Sequence, residues 1–219
     1  MDEKRVIVTG IGGNVGQGVI RNIKATNYNI KIIGINIESF SAGNHLCDVF
    51  YKVPLANHPD YIETVKTIAE KEQIDLIIPT TDFEVYYLSK KKDEIPCQVA
   101  VSSNETANYY LDKYNTYLHF NKHKIPFATS FLPSQYNDEF QDIILKPRQG
   151  RGSRGLQINP IIDASFSDED CMVQELHKGI EITTAFYIDK FQNLHGFITL
   201  ERILENGTTT HCKVVTQYD

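Results

Sequence analysis

The four cysteines, Cys47, Cys97, Cys171 and Cys212, include no C-x-x-C pair, and the seven histidines form no cluster at zinc-ligand spacing. A disulfide framework and a structural zinc site are therefore not expected, and reduced thiols in a cytoplasmic protein are. No apolar run reaches the roughly 20 residues that a membrane-crossing helix needs. Met1-Asp2-Glu3-Lys4-Arg5 opens without a signal-peptide core, so the expectation is a soluble, intracellular chain that does not engage a membrane. Positive charge is also scarce. With 22 Lys and Arg against 28 Asp and Glu, the formal net charge is −6, which argues against a general nucleic-acid binder and leaves room only for a local basic site. Internal repeats and low-complexity runs are missing as well.

What is present is an α/β pattern in two parts. A chain of 219 residues that is 41% hydrophobic can bury a sizeable core in one or two domains. Residues 5–9 read as a short strand that turns through Gly10-Ile11-Gly12-Gly13-Asn14-Val15-Gly16-Gln17-Gly18 into a helix, with Val15, Val19, Ile20 and Ile23 on its apolar face. Strands follow at residues 30–36 and 48–53. A helix opening at Pro59 carries Ile62, Val65, Ile68 and Ala69 on one face. Residues 74–79 form an apolar run, Asp82 is placed to cap the next helix, and residues 97–101 supply a further strand. Strands alternating with helices predict a Rossmann-like parallel-sheet domain over residues 1–104.

Beyond it the rhythm changes. A Tyr-rich helical stretch at 106–122 leads to a strand at 127–132, then to the strands flanking a glycine-rich loop, and then to a strand at 171–176. Residues 180–189 alternate with period two, as in an antiparallel strand with one covered face, and residues 194–203 return after a turn at Gln192-Asn193. Residues 105–219 are thus expected to form a mixed, largely antiparallel α+β unit.

Two glycine loops carry the chemistry. Residues 143–158 deliver Lys146 into Pro147-Arg148-Gln149-Gly150-Arg151-Gly152-Ser153-Arg154-Gly155 and return as a second strand. Glycines there let backbone N–H groups approach a polyanion, with lysine and arginine adding charge; the bland alternative is a solvated basic hairpin tip. The first loop, Thr9 to Gly16, fits T-G-x-x-G-x-x-G, the fingerprint of extended short-chain dehydrogenases, although the strict G-x-G-x-x-G fails at Val15. Such enzymes also need a Tyr-x-x-x-Lys pair, and Tyr86/Lys90, Tyr87/Lys91 and Tyr109/Lys113 all satisfy so loose a spacing. Asn36 and Glu38 are candidate ribose partners. A dehydrogenase would leave the second half unexplained.

Read in order, Asp112-Lys113-Tyr114-Asn115-Thr116, Lys124-Ile125-Pro126, Ile144-Leu145-Lys146-Pro147 with its loop, and residues 173–181 (VQELHKGIE) resemble the ATP-grasp superfamily. Within it the chain looks most like the carbamoyl phosphate synthetase large-subunit group, through Asn14-Val15-Gly16-Gln17-Gly18 and Ile77-Ile78-Pro79-Thr80-Thr81-Asp82. The resemblance covers essentially the whole chain. It implies a pre-ATP-grasp domain followed by a grasp domain, with ATP in the second half. It makes Lys113 and Lys146 the lysines on the nucleotide phosphates, and Gly150, Gly152, Ser153 and Gly155 the loop over them. Glu175 and Leu176 become the hinge at the adenine edge, and Glu181 the ribose acid. Arg151 and Arg154 add charge only.

The resemblance further implies Mg²⁺, held by acidic residues and an asparagine in a block downstream of Asp219, since Glu201 and Asp219 alone do not make an oxygen cage. The grasp domain is therefore expected to be C-terminally truncated in this chain: either the chain is a truncated product, or another chain, in a homo-oligomer or from a second protein, completes the site. Gly12, Gly13 and Asn14, with Arg202, His211 and Lys213, are candidate contacts to a small acceptor carrying a carboxylate. No catalytic residue is assigned. Three readings stay open: a ligase activating a carboxylate or bicarbonate as an acyl phosphate for attack by an amine, a nucleotide-binding subunit without turnover, and an NAD(P)-dependent dehydrogenase.

Overall fold

The computed structural model describes residues 2–150, 152–205 and 207–217. The chain separates into two compact units, one running to Leu111 and one starting at Asp112. Residues 105–111 therefore go with the first unit, past the boundary expected at residue 104.

In the first unit β1 (Lys4–Val8), β2 (Ile30–Asn36), β3 (Val49–Lys52), β4 (Leu76–Ile78) and β5 (Gln98–Val99) form a parallel sheet in the order β3-β2-β1-β4-β5. Alternation along each strand feeds two cores. Ile7 and Ile33 point to one face, where Tyr61, Val65 and Ile68 of α2 (Tyr61–Glu72) and Leu88 of α3 (Asp82–Lys91) cover them. Val6, Val8 and Ile32 point to the other face and pack against Ile20 of α1 (Asn14–Lys24). Each fully buried Ile or Leu contributes about 1.5–3 kcal/mol relative to exposure, and helices on both faces account for the near-continuous apolar runs of β1 and β2.

Three local expectations are corrected. Val15 is exposed, so the buried stripe of α1 does not include it. The N-cap of α3 is Thr81, not Asp82: Thr81 holds the extended backbone of a cap, and its hydroxyl accepts from the Glu84 N–H at 3.3 Å. The second helix starts at Tyr61 rather than at Pro59. α4 (Asn104–Leu111) closes the unit, and its Asn104 donates to the Ser89 hydroxyl of α3 at 3.1 Å.

The second unit begins with α5 (Lys113–Lys122). The single helix expected over 106–122 is broken at Asp112, whose extended backbone and side chain, accepting from the N–H groups of Tyr114 and Asn115, start a new helix. A four-stranded antiparallel sheet follows, in the order β6-β9-β7-β8, from β6 (Ser130–Phe131), β7 (Ile143–Pro147), β8 (Gln157–Ile158) and β9 (Cys171–Glu175). Its core is small: Ile143, Leu145 and Val173, packed by Tyr136, Phe140 and Phe166.

A second antiparallel sheet holds β10 (Glu181–Ile188), β11 (Leu194–Glu205) and β12 (Thr208–Val214). The covered face expected for residues 180–189 is not there. Phe186, Tyr187 and Ile188 are all exposed, and the pairing with β11 shifts register between Phe186 and Ile188.

Candidate phosphate-binding cavity

Period-two alternation decides what β7 offers. Ile143 and Leu145 turn into the core, so Lys146 emerges on the opposite face, beside the glycine loop. There Lys113, the first residue of α5, meets it. The two lysines, with Pro147, Gly150, Gly152, Ser153, Arg154 and Leu156, line a cavity of about 200 Å³. Arg151 and Asp219 lie outside the described residues.

The loop is built from left-handed residues. Gly150, Gly152, Ser153 and Gly155 all hold positive φ, at 145°, 64°, 54° and 73°. At Gly155 the constraint is double, because a Cβ would also come within 3.0 Å of the Pro147 ring. The Lys113 ammonium donates to the carbonyls of Gly150 at 3.2 Å and Arg148 at 3.4 Å, so the loop backbone holds it in the cavity lining. Burial holds the Lys146 ammonium below the usual lysine range, and the neighbouring Lys113 charge pushes it down further. Lys113 and Lys146 thus bring two positive charges to one partly desolvated cavity.

Other candidate residues fall elsewhere. Glu175 ends β9 and Leu176 follows it, but their N–H groups are already used: Glu175 donates to the Thr129 carbonyl and Leu176 to that of Asp142, each at 3.0 Å. Of the backbone groups expected at an adenine edge, both N–H groups are thus engaged within the chain. Glu181 accepts from the Arg202 guanidinium across the β10–β11 pair, so the expected ribose acid is an ion-pair partner. Arg202, Glu181 and Cys212 are register partners on one face of that sheet, whereas Lys213 faces Glu201, and His211 faces Ile203, on the other. Arg202, His211 and Lys213 therefore do not form one acceptor site. Gly12, Gly13 and Asn14 sit in the first unit at the turn into α1.

Among the described residues no group of three or more His, Cys, Asp or Glu could hold a metal ion, and Glu201 is engaged by Lys213 at 3.2 Å. The cationic lining of the cavity does not fit magnesium by itself. The Tyr-x-x-x-Lys pairs fare no better as proton-transfer sites: Lys90 lies 3.5 Å from the Tyr86 hydroxyl on an exposed turn of α3, and Lys113 belongs to the cavity. Sequence reading missed Arg148, whose guanidinium binds Asp112, and the cap that Asp112 forms. No helix is long and apolar enough to cross a membrane among the described residues.

Residues 6–101 match the family model described as PylC-like, N-terminal domain. The solved structures that the whole chain resembles include N5-carboxyaminoimidazole synthetase from Staphylococcus aureus complexed with ADP, at 11% identity and a TM-score of 0.71, covering 94% of this chain and 56% of that one. L-amino acid ligase from Bacillus licheniformis matches at 11% identity and 0.66, covering 92% and 50%. The biotin carboxylase domain of Hydrogenobacter thermophilus 2-oxoglutarate carboxylase, in complex with MgADP, ADP and bicarbonate, matches at 16% and 0.64, covering 94% and 52%. The chain thus spans about half the length of these proteins. No curated protein matches the sequence.

Proposed function

We propose that this chain, which has the fold of the ATP-grasp enzymes, binds the phosphates of ATP between Lys113 and Lys146 under the Gly150–Gly155 loop. We infer further that the whole protein activates a carboxylate or bicarbonate as an acyl phosphate for attack by an amine. The observation that carries it is the convergence of two lysines and three left-handed loop residues, Gly150, Gly152 and Ser153, on one cavity in the second unit. Phosphoryl transfer asks little covalent chemistry of a protein. It needs aligned phosphates, neutralised charge and excluded water, and a cationic cavity under a glycine loop supplies the first two.

The solved relatives that carry ADP or MgADP support adenine nucleotide as the ligand. The ligases among them support carboxylate activation as the reaction class, and the narrower carbamoyl phosphate synthetase-like reading rests on the sequence resemblance alone. Gly12, Gly13 and Asn14 remain the proposed acceptor contacts, in a cytoplasmic setting. No step is assigned to a metal, because the described residues offer it no ligand set. The second reading, kept from the sequence, is a nucleotide-binding subunit without turnover.

A thermal-shift titration with ATP, ADP and NADH tests the reading. Ligand at about a hundredfold over its dissociation constant stabilises by roughly 2.7 kcal/mol, a readily measured shift. The expected result is stabilisation by adenine nucleotide and none by NADH, abolished in Lys146→Ala. Stabilisation by NADH alone would move the site to the Gly10–Gly16 turn, and undiminished ATP binding by Lys146→Ala would remove Lys146 from the site. Carboxylate-dependent ATP hydrolysis would decide against the subunit reading.

A further inference from the structure

Two ammonium groups of like charge do not stay together unless something holds them. Lys146 is fixed by β7, but Lys113 stands on the first turn of a different element, α5. Besides the bonds from Lys113 to the Arg148 and Gly150 carbonyls, an ion pair connects the two elements. The Arg148 Nε donates to the Asp112 carboxylate at 2.9 and 3.2 Å, and its Nη2 lies 2.7 Å from Asp112 Oδ2. Both side chains are largely buried, with 19% and 9% of their surface exposed, so the pair is little screened.

Each partner is anchored on its own side. Asp112 also accepts from the Tyr114 and Asn115 N–H groups, which makes its carboxylate the N-cap of α5. Arg148 donates through Nη1 to the Asp168 carbonyl at 2.8 Å and lies over the Tyr114 ring at 5.6 Å. Its backbone N–H donates to the Asp170 carbonyl at 2.8 Å, and its own carbonyl accepts the Lys113 N–H at 2.9 Å. One side chain thus ties the start of α5 to the end of β7.

We propose that the Asp112–Arg148 pair is a clamp that presents Lys113 and Lys146 together to a polyphosphate, with Arg148 and Asp112 as positioning residues that do not touch the ligand. This rests on the nucleotide reading above. It adds a separate requirement: the lysines suffice for binding only while the clamp is closed.

The variants that separate these ideas are Arg148→Ala, Asp112→Asn and Lys146→Ala in the full chain. Asn is as good a helix N-cap as Asp, so Asp112→Asn keeps α5 started while removing the charge that holds Arg148. Affinity for ATP and for inorganic tripolyphosphate is measured by calorimetry across alkaline pH. The expected result is a loss of about tenfold or more for both ligands in Arg148→Ala and Asp112→Asn, the scale of a buried charge-assisted hydrogen bond. Once Lys113 moves away, the pH at which affinity breaks should also rise toward that of an ordinary lysine. A purely structural pair would lower the melting temperature and leave that break in place.

Arg148→Ala and Asp112→Asn proteins that bind both ligands like wild type, while Lys146→Ala does not, would overturn the clamp and spare the nucleotide reading. Loss of ATP binding with tripolyphosphate binding retained would overturn it too. Wild-type binding by Lys146→Ala would remove both ideas together.

Discussion

Gly207, at the turn between β11 and β12, lies against Gly152 so closely that a Cβ built on it would come within 2.3 Å of the Gly152 carbonyl carbon and oxygen. With φ at +73°, Gly207 is also in the region where a side chain is disfavoured. The turn between two strands of one sheet therefore seats the glycine loop of the other. Gly207→Ala is expected to cost about 1 kcal/mol in backbone strain. It should also displace the loop and weaken ATP binding beyond any loss of melting temperature. Titration of the folded variant with ATP checks this, and unchanged affinity would mean that the loop binds without that support.

Glu84 is 8% exposed and accepts from three hydroxyls: Thr9 at 2.6 Å, Thr81 at 2.7 Å and Tyr61 at 3.4 Å. The arrangement fastens the end of β1 to α2 and α3 beneath Gly10. Glu84→Ala leaves these buried donors without their acceptor, at a cost of about 1–3 kcal/mol in stability. Denaturant unfolding should show a lower midpoint with nucleotide binding retained. A variant as stable as wild type would mean that water replaces the carboxylate at no cost.

Thr81 belongs to the same network and is also the cap of α3, so its removal acts twice. Thr81→Ala is expected to cost about 1 kcal/mol as a lost cap, plus part of the Glu84 interaction. In a double-mutant cycle with Glu84→Ala the two losses should fall short of additive by about 0.5 kcal/mol or more. Strict additivity would show that the hydroxyl serves the cap alone.

How much of this was legible in the sequence differs between the two units. β1, β2, α1 and α2 follow from local apolar spacing, because a sheet covered on both faces by amphipathic helices leaves a strong periodic signal. Lys146 and its loop were legible for a similar reason, since glycine density and charge sit together on one short segment. The break at Asp112 was not. Helical propensity runs on through 106–122, and although the cap that Asp112 forms is local, its second role as the partner of Arg148 depends on a long-range contact. The β10 alternation misled because it reports side-chain pattern, and what covers a face is decided by tertiary packing. The split of Arg202 from His211 and Lys213 depends on strand register, which residue types alone do not give.

Lys146 gives the sharpest dependence on pH. Its ammonium is held below the ordinary lysine value of 10.5 by burial and by Lys113, and Arg154 lines the same cavity as a third cation. In the window between that lowered value and 10.5 the unfolded chain binds more protons than the folded one, so this group makes stability rise with pH there. The destabilising charge is fully present below the window and gone above it. Ligand binding has the opposite sign. Phosphates favour the ammonium and pull its pKa back up, so ATP affinity should be highest below the lowered pKa and fall as pH climbs through it. Binding measured within the window should be accompanied by proton uptake, seen as a dependence of the calorimetric heat on buffer ionisation enthalpy. Lys146→Ala should abolish both the uptake and the alkaline rise in stability. Affinity that does not change across that window would place the phosphates away from Lys146.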